Sequence, residues 1–72
     1  MSTLNLLSEV AVLHDLPEHG LIRGQVGTVV EMLSSSVVEV EFSDEEGRTY
    51  AQAAIPSEEL VMLHHRPLQR VA

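Results

Sequence analysis

Four histidines, His14, His19, His64 and His65, are the residues of this chain best suited to chemistry. An imidazole can ligate a metal, move a proton or sense pH near neutrality. A metal centre, however, needs three or four converging donors. His64 and His65 are adjacent, so in a strand they leave opposite faces. His19 has only Glu18 beside it. His14 and His64 end the first and last expected strands, and antiparallel pairing of those strands puts them at opposite ends of one ladder. The sequence therefore predicts surface histidines and no metal or other cofactor. The absence of Cys excludes disulfides, zinc–thiolate centres and thiol catalysis.

Carboxylates offer a second kind of chemistry. Glu39 and Glu41 stand two apart, hence on one face of a strand. Such a pair does acid–base work only where an apolar pocket splits its pKa values. Here it projects from the outer face of a hairpin beside the acidic run Asp44-Glu45-Glu46, which reads as solvated surface. Ser34-Ser35-Ser36 is a turn sequence, not a nucleophile elbow. Gly24 and Gly27 do not make a phosphate loop, because no Lys follows and no helix begins. The expectation is a protein that is not an enzyme.

Charge narrows the partners. Eleven Asp and Glu oppose four Arg and no Lys, for a formal net charge of -7. Arg23 and Arg48 are isolated, and Arg66 and Arg70 lie near the C-terminus. Nucleic-acid phosphate and anionic membranes are repelled by such a surface. A basic protein partner is not. The start, Met1-Ser2-Thr3-Leu4-Asn5, has no basic region or long apolar run, and no stretch is long enough to cross a bilayer. With the absence of Cys, this predicts a cytoplasmic protein.

The elements that must position these residues are short strands. The 72 residues are 44% hydrophobic and 21% charged, a globular balance for a single domain. With one Phe (Phe42), one Tyr (Tyr50) and no Trp, the core must be aliphatic. Residues 1–7 read as a lead-in, 8–64 as a β-barrel and 65–72 as a flexible tail. Strands are predicted over Ser8–His14, Gly24–Leu33, Val37–Ser43, Arg48–Ile55 and Leu60–His64. In the second, Val26, Thr28, Val30 and Met32 share one face, and Gln25, Gly27, Val29, Glu31 and Leu33 the other. Gly27 inside that strand implies a bulge, a bend or a close backbone approach. In the third, Val38, Val40 and Phe42 point inward and Glu39 and Glu41 outward. Gly47 closes the hairpin turn after Asp44. Pro56-Ser57-Glu58-Glu59 reads as one helical turn with Pro in its first positions. In the long loop Asp15–Arg23, Leu16, Leu21 and Ile22 are expected to plug one end of the barrel. The fold class is all-β: a small SH3-like five-stranded barrel with one short helical turn before the last strand.

Two runs carry a family resemblance: Asp15-Leu16-Pro17-Glu18-His19-Gly20-Leu21, then Arg23-Gly24-Gln25-Val26-Gly27-Thr28-Val29-Val30-Glu31. Glu39-Val40-Glu41-Phe42, Asp44 and Gly47-Arg48-Thr49-Tyr50-Ala51 extend it. These resemble small bacterial and cyanobacterial proteins grouped as domain-of-unknown-function family 4926, from about Glu9 to Leu63. The resemblance implies a compact SH3-like barrel. It also implies an antitoxin, an immunity protein or an accessory subunit, since such proteins often neighbour toxin-like ones. The Gly24-Gln25-Val26-Gly27-Thr28-Val29 turn is loosely similar to ribosome- and transcription-associated barrels. The basic surroundings of that motif are missing here, so RNA binding does not carry over.

The functional expectation is a non-enzymatic protein-binding module, antitoxin-like or accessory, that masks a basic, toxin-like partner with an acidic surface. Glu39, Glu41, Asp44, Glu45 and Glu46 of the hairpin, Glu18 and His19 of the first loop, and Tyr50 are the candidate contacts. A peptide groove or methyl-lysine cage would need aromatic walls that Tyr50 and Phe42 alone do not make. The alternative is a self-associating structural subunit, a homo-oligomer joined through Val29, Leu33, Ala51 and Ile55.

Overall fold

The computed structural model describes residues 4–67. The chain forms five antiparallel strands: β1 (Glu9–Val12), β2 (Val26–Met32), β3 (Val37–Ser43), β4 (Thr49–Pro56) and β5 (Leu60–Met62). They make one sheet in the order β4-β3-β2-β1-β5. Two single-turn 3-10 helices, Pro17–His19 and Ser57–Glu59, interrupt the connections.

The inner face follows from alternation. Val10 and Val12 of β1, Val29 of β2, Val38, Val40 and Phe42 of β3, and Ile55 of β4 are almost fully buried. Leu4, Leu21, Ala53 and Leu60 complete the cluster. The lead-in is thus part of the core through Leu4, and Phe42 is the one aromatic ring within it. Leu21 and the half-buried Leu16 cover the core as expected, whereas Ile22 is 61% exposed and plugs nothing. Leu16 and Leu21 bond to each other through both backbone N–H groups, so the loop closes before Ile22 and turns it outward.

The second strand departs from simple alternation. Val29 pairs with Val40, but the next pair is Glu31 with Glu39, and Val30 is an extra residue between them. Such a bulge shifts the parity of everything that follows. Glu31 therefore shares the outer face of Glu39 rather than the inner face of Val29. Met32 falls opposite the buried Val38 instead of alongside Val26 and Thr28. Gly27 marks a close approach, not the bulge: a β-carbon there would lie 2.6 Å from Val40 Cγ1 and 2.9 Å from the Glu41 carbonyl oxygen.

Ser57–Glu59 joins β4 to β5, which lie at opposite edges of the sheet. A flat five-stranded sheet would hold its edge strands about 19 Å apart, at about 4.8 Å per strand. Four residue steps from Pro56 to Leu60 reach at most about 14 Å. The sheet must curl to bring its edges toward each other. It does not close: β4 and β5 form no ladder, so each keeps a free edge among the described residues. Pro56 is the last residue of β4 and has an extended backbone, so it precedes the 3-10 turn instead of entering it.

Candidate functional site

β3 places its side chains by strict alternation, and Glu39 and Glu41 fall on the outer face, half-buried. Register assembles their neighbours. Glu41 lies opposite Thr28 on β2 and Gln52 on β4. Glu39 lies opposite Glu31 on β2 and Ala54 on β4. The outer face thus carries three carboxylates on two adjacent strands, with Glu31 and Glu39 directly facing. Directly opposed like charges destabilise a sheet. The side chain answering Glu39 is neutral: Gln52 donates from Nε2 to Glu39 Oε2 at 3.1 Å.

The β3–β4 turn is built around Asp44. Its Oδ1 accepts from the backbone N–H groups of Glu46 and Arg48, each at 2.9 Å. Arg48 Nε stands 3.3 Å from Asp44 Oδ2. The Arg48 backbone N–H is the chief cause that holds the Asp44 carboxyl below its ordinary range. Desolvation opposes this, and the Glu46 N–H and the Arg48 side chain add smaller lowering contributions. Arg48 also pairs through Nη2 with Glu46 Oε1. Gly47 takes φ of 84°, which closes the turn and which a residue with a β-carbon adopts only under strain. Two of the three turn acids are therefore engaged by the turn itself, and Glu45 stands exposed at its tip.

Tyr50 is 48% exposed at an irregularity where the β3–β4 register shifts. Its ring centre is 6.3 Å from that of Phe42. Glu18 and His19 sit exposed on the first 3-10 turn, within the β1–β2 loop. That loop and the β3–β4 turn leave the same end of the sheet, because the start of β2 lies beside the end of β3. The candidate residues thus fall into two groups, an outer-face row and a loop end. The residue missed by reading the sequence is Glu31. Only the bulge at Val30 brings it to the acidic face.

The histidines are placed by the β1–β5 ladder, in which Val12 pairs with Leu60 and Val10 with Met62. At one end His14 Nδ1 is 2.9 Å from Glu59 Oε1. At the other, His65 Nε2 meets Glu9 Oε1. Two His–Glu pairs therefore fasten β1 to β5. No three His, Asp or Glu side chains converge as metal ligands among the described residues. A groove of about 880 Å³ runs beside β5, lined by Leu4, Ser36, Pro56, Glu58, Leu60 and Met62 among others. Among the described residues its lining holds one carboxylate, Glu58, and no second acid or base to make a reactive pair.

The homo-oligomer residues are corrected by burial. Val29 and Ile55 are fully buried in the core, and Ala51 packs against it. Of the four, only Leu33 is exposed. Residues Met1–Thr3 and the tail residues Leu68–Ala72, including Arg70, lie outside the described residues. Among the described residues no helix is long and apolar enough to cross a membrane.

Residues 6–62 match the sequence profile of the domain of unknown function DUF4926, and the chain belongs to that family. Neither a curated protein nor a solved structure matches the chain.

Proposed function

We propose that this family member is a non-enzymatic, cytoplasmic protein-binding module that masks a basic partner with its acidic outer face. An antitoxin-like or accessory role is the form this takes. The observation that carries the reading is the direct opposition of Glu31 and Glu39 beside Glu41. Their mutual repulsion works against the sheet, so the fold alone gives no reason for the arrangement. A cationic surface would relieve it on binding. Curling of the sheet, its strand order and the 3-10 turn before β5 support an SH3-like, incompletely closed barrel as the scaffold. Glu45, Glu18, His19 and Tyr50 at the adjoining end would extend the contact.

The test is comparative capture from the source cell's lysate. The tagged protein and its Glu31→Gln/Glu39→Gln/Glu41→Gln variant are used side by side. One stoichiometric basic companion on the first, absent from the second, is the expected result. A companion held equally by both, or none on either, removes the acidic-face reading. Self-association is the second reading. It draws on Leu6, Leu7 and Val30, all exposed, with the Leu7 backbone N–H bonded to the carbonyl of Val29, the residue before Val30. Light scattering decides it: a single-chain mass rules it out.

A further inference from the structure

β4 is an edge strand of eight residues, and the devices that usually blunt such an edge are missing from most of it. No residue of Thr49–Pro56 is charged. Its Pro stands at the very end, and the register irregularity is confined to the Thr49–Ala51 end. Ala51–Ile55 is left as a regular stretch whose outward N–H and C=O groups pair with no strand among the described residues. The other edge, β5, is only three residues long.

The side chains beside this edge specify what it would accept. On the outer face β4 presents Gln52 and Ala54, and behind them on β3 stand Glu41 and Glu39. Ala54 directly opposes Glu39, and its methyl leaves the approach from the edge low. A strand added to β4 would lie about 10 Å from β3, twice the strand spacing. An extended Arg or Lys on that strand, laid across Ala54, would bring its charge to Glu39. A second copy of β4 supplies no such cation, because its sequence is Thr-Tyr-Ala-Gln-Ala-Ala-Ile-Pro. None of the Arg residues of this chain lies on a strand among the described residues.

We infer that the β4 edge receives an extended, basic segment of a protein partner as a sixth strand, with alternate Arg or Lys side chains over Ala54 and Gln52 reaching Glu39 and Glu41. The inference rests on the acidic-face reading and adds to it the mode of docking. Main-chain bonds to the edge supply affinity, and the alternate cations supply selectivity.

The experiment uses the full chain and three probe peptides, followed by calorimetry and amide hydrogen exchange. One peptide alternates Val and Arg. A second has the same sequence, N-methylated along its backbone, so that its charge is kept and its strand pairing lost. A third replaces Arg by Glu. The first should bind and slow exchange of the amides within 51–55. N-methylation should weaken it at least about tenfold, the equivalent of losing one or two net hydrogen bonds. The Glu peptide should not bind. An Ala54→Lys variant, whose ammonium would pair with Glu39 within the chain, should weaken the first peptide by a similar factor while keeping its circular dichroism. Equal binding of the first two peptides, or protection at β5 instead of β4, overturns edge docking and leaves the acidic-face reading standing. Equal binding of the Glu peptide, or no binding by any, overturns both.

Discussion

Replacing Gly27 by Ala sets two effects of opposite sign against each other. Gly27 is buried in β2, opposite Val10, and its φ is not in the left-handed region. A Gly→Ala change at a compatible site stabilises by about 0.4–1 kcal/mol, by narrowing the unfolded ensemble. Here the new methyl would sit 2.6 Å from Val40 Cγ1, 2.9 Å from the Glu41 carbonyl oxygen and 2.9 Å from Phe42 Cδ2. None of these can swing aside. Val40 and Phe42 are fully buried, and the oxygen belongs to the β3 backbone. Forcing a methylene into a packed core costs about 1–3 kcal/mol, and movement of a backbone pushes toward the upper end. The net expectation is a loss of about 1–2 kcal/mol, or roughly 5–15 °C in Tm for a domain of this size. Thermal unfolding followed by far-UV circular dichroism measures it, and urea unfolding gives the free energy. A second variant isolates the cause. Val40→Ala removes the nearest contact, so the double variant should be less destabilised than the sum of the singles, by about 0.5 kcal/mol or more. A Tm equal to or above that of the parent refutes the close-approach argument.

Three further outcomes are expected. Glu39→Lys sets a cation opposite Glu31 and next to Glu41 in place of repulsion, and should stabilise the fold by about 0.5–1 kcal/mol despite losing the Gln52 bond; a lower urea midpoint contradicts the like-charge reading. His14→Ala and His65→Ala each break one exposed pair and should cost at most about 1 kcal/mol, additively, since the pairs stand at opposite ends of the β1–β5 ladder; a large loss in either would mean that the pair does more than fasten an edge. The Asp44 carboxyl, held down first by the Arg48 N–H, should titrate below its ordinary value of 3.8 when followed by NMR. Because the folded value is depressed, the stabilisation of the turn is complete above that ordinary value and is lost as pH falls through the folded one. A midpoint at or above 3.8 would show that the turn does not hold the carboxylate.

Local pattern made part of this fold legible. The alternation Val38-Glu39-Val40-Glu41-Phe42 identified both faces of β3, because every second residue of a half-buried strand must match its side. Asp44 and Gly47 identified the hairpin turn through chemistry confined to five residues. The parity of β2 beyond Val29 was not legible. A bulge is a property of the pair β2–β3, and nothing in Val29-Val30-Glu31 marks which residue is extra. Assigning Val29 and Ile55 to a surface failed for a related reason: both faces of a strand look apolar when one is core and the other carries small or aliphatic residues. The pairs His14–Glu59 and Glu9–His65 join residues 45 and 56 positions apart, and only the β1–β5 register brings them together.

The placement of charge on the sheet follows a gradient that the core does not require. On the β1–β5 side, Glu9 meets His65 and Glu59 meets His14. In the turn, Asp44 and Glu46 share the one guanidinium of Arg48. Glu31, Glu39 and Glu41 face one another or neutral residues, and they lie toward the β4 side of the sheet. Directly opposed residues such as Glu31 and Glu39 have β-carbons about 4.5–5.5 Å apart, inside the screening length of about 8 Å at physiological salt. A ligand that binds only the native state stabilises it by mass action. A basic strand at β4 would do so twice, by completing the edge and by neutralising the row behind it. The long free edge of β4 and the opposed carboxylates are two features of this sheet that a bound basic strand would complete and neutralise. They occupy neighbouring strands, so one partner of suitable shape and charge answers both.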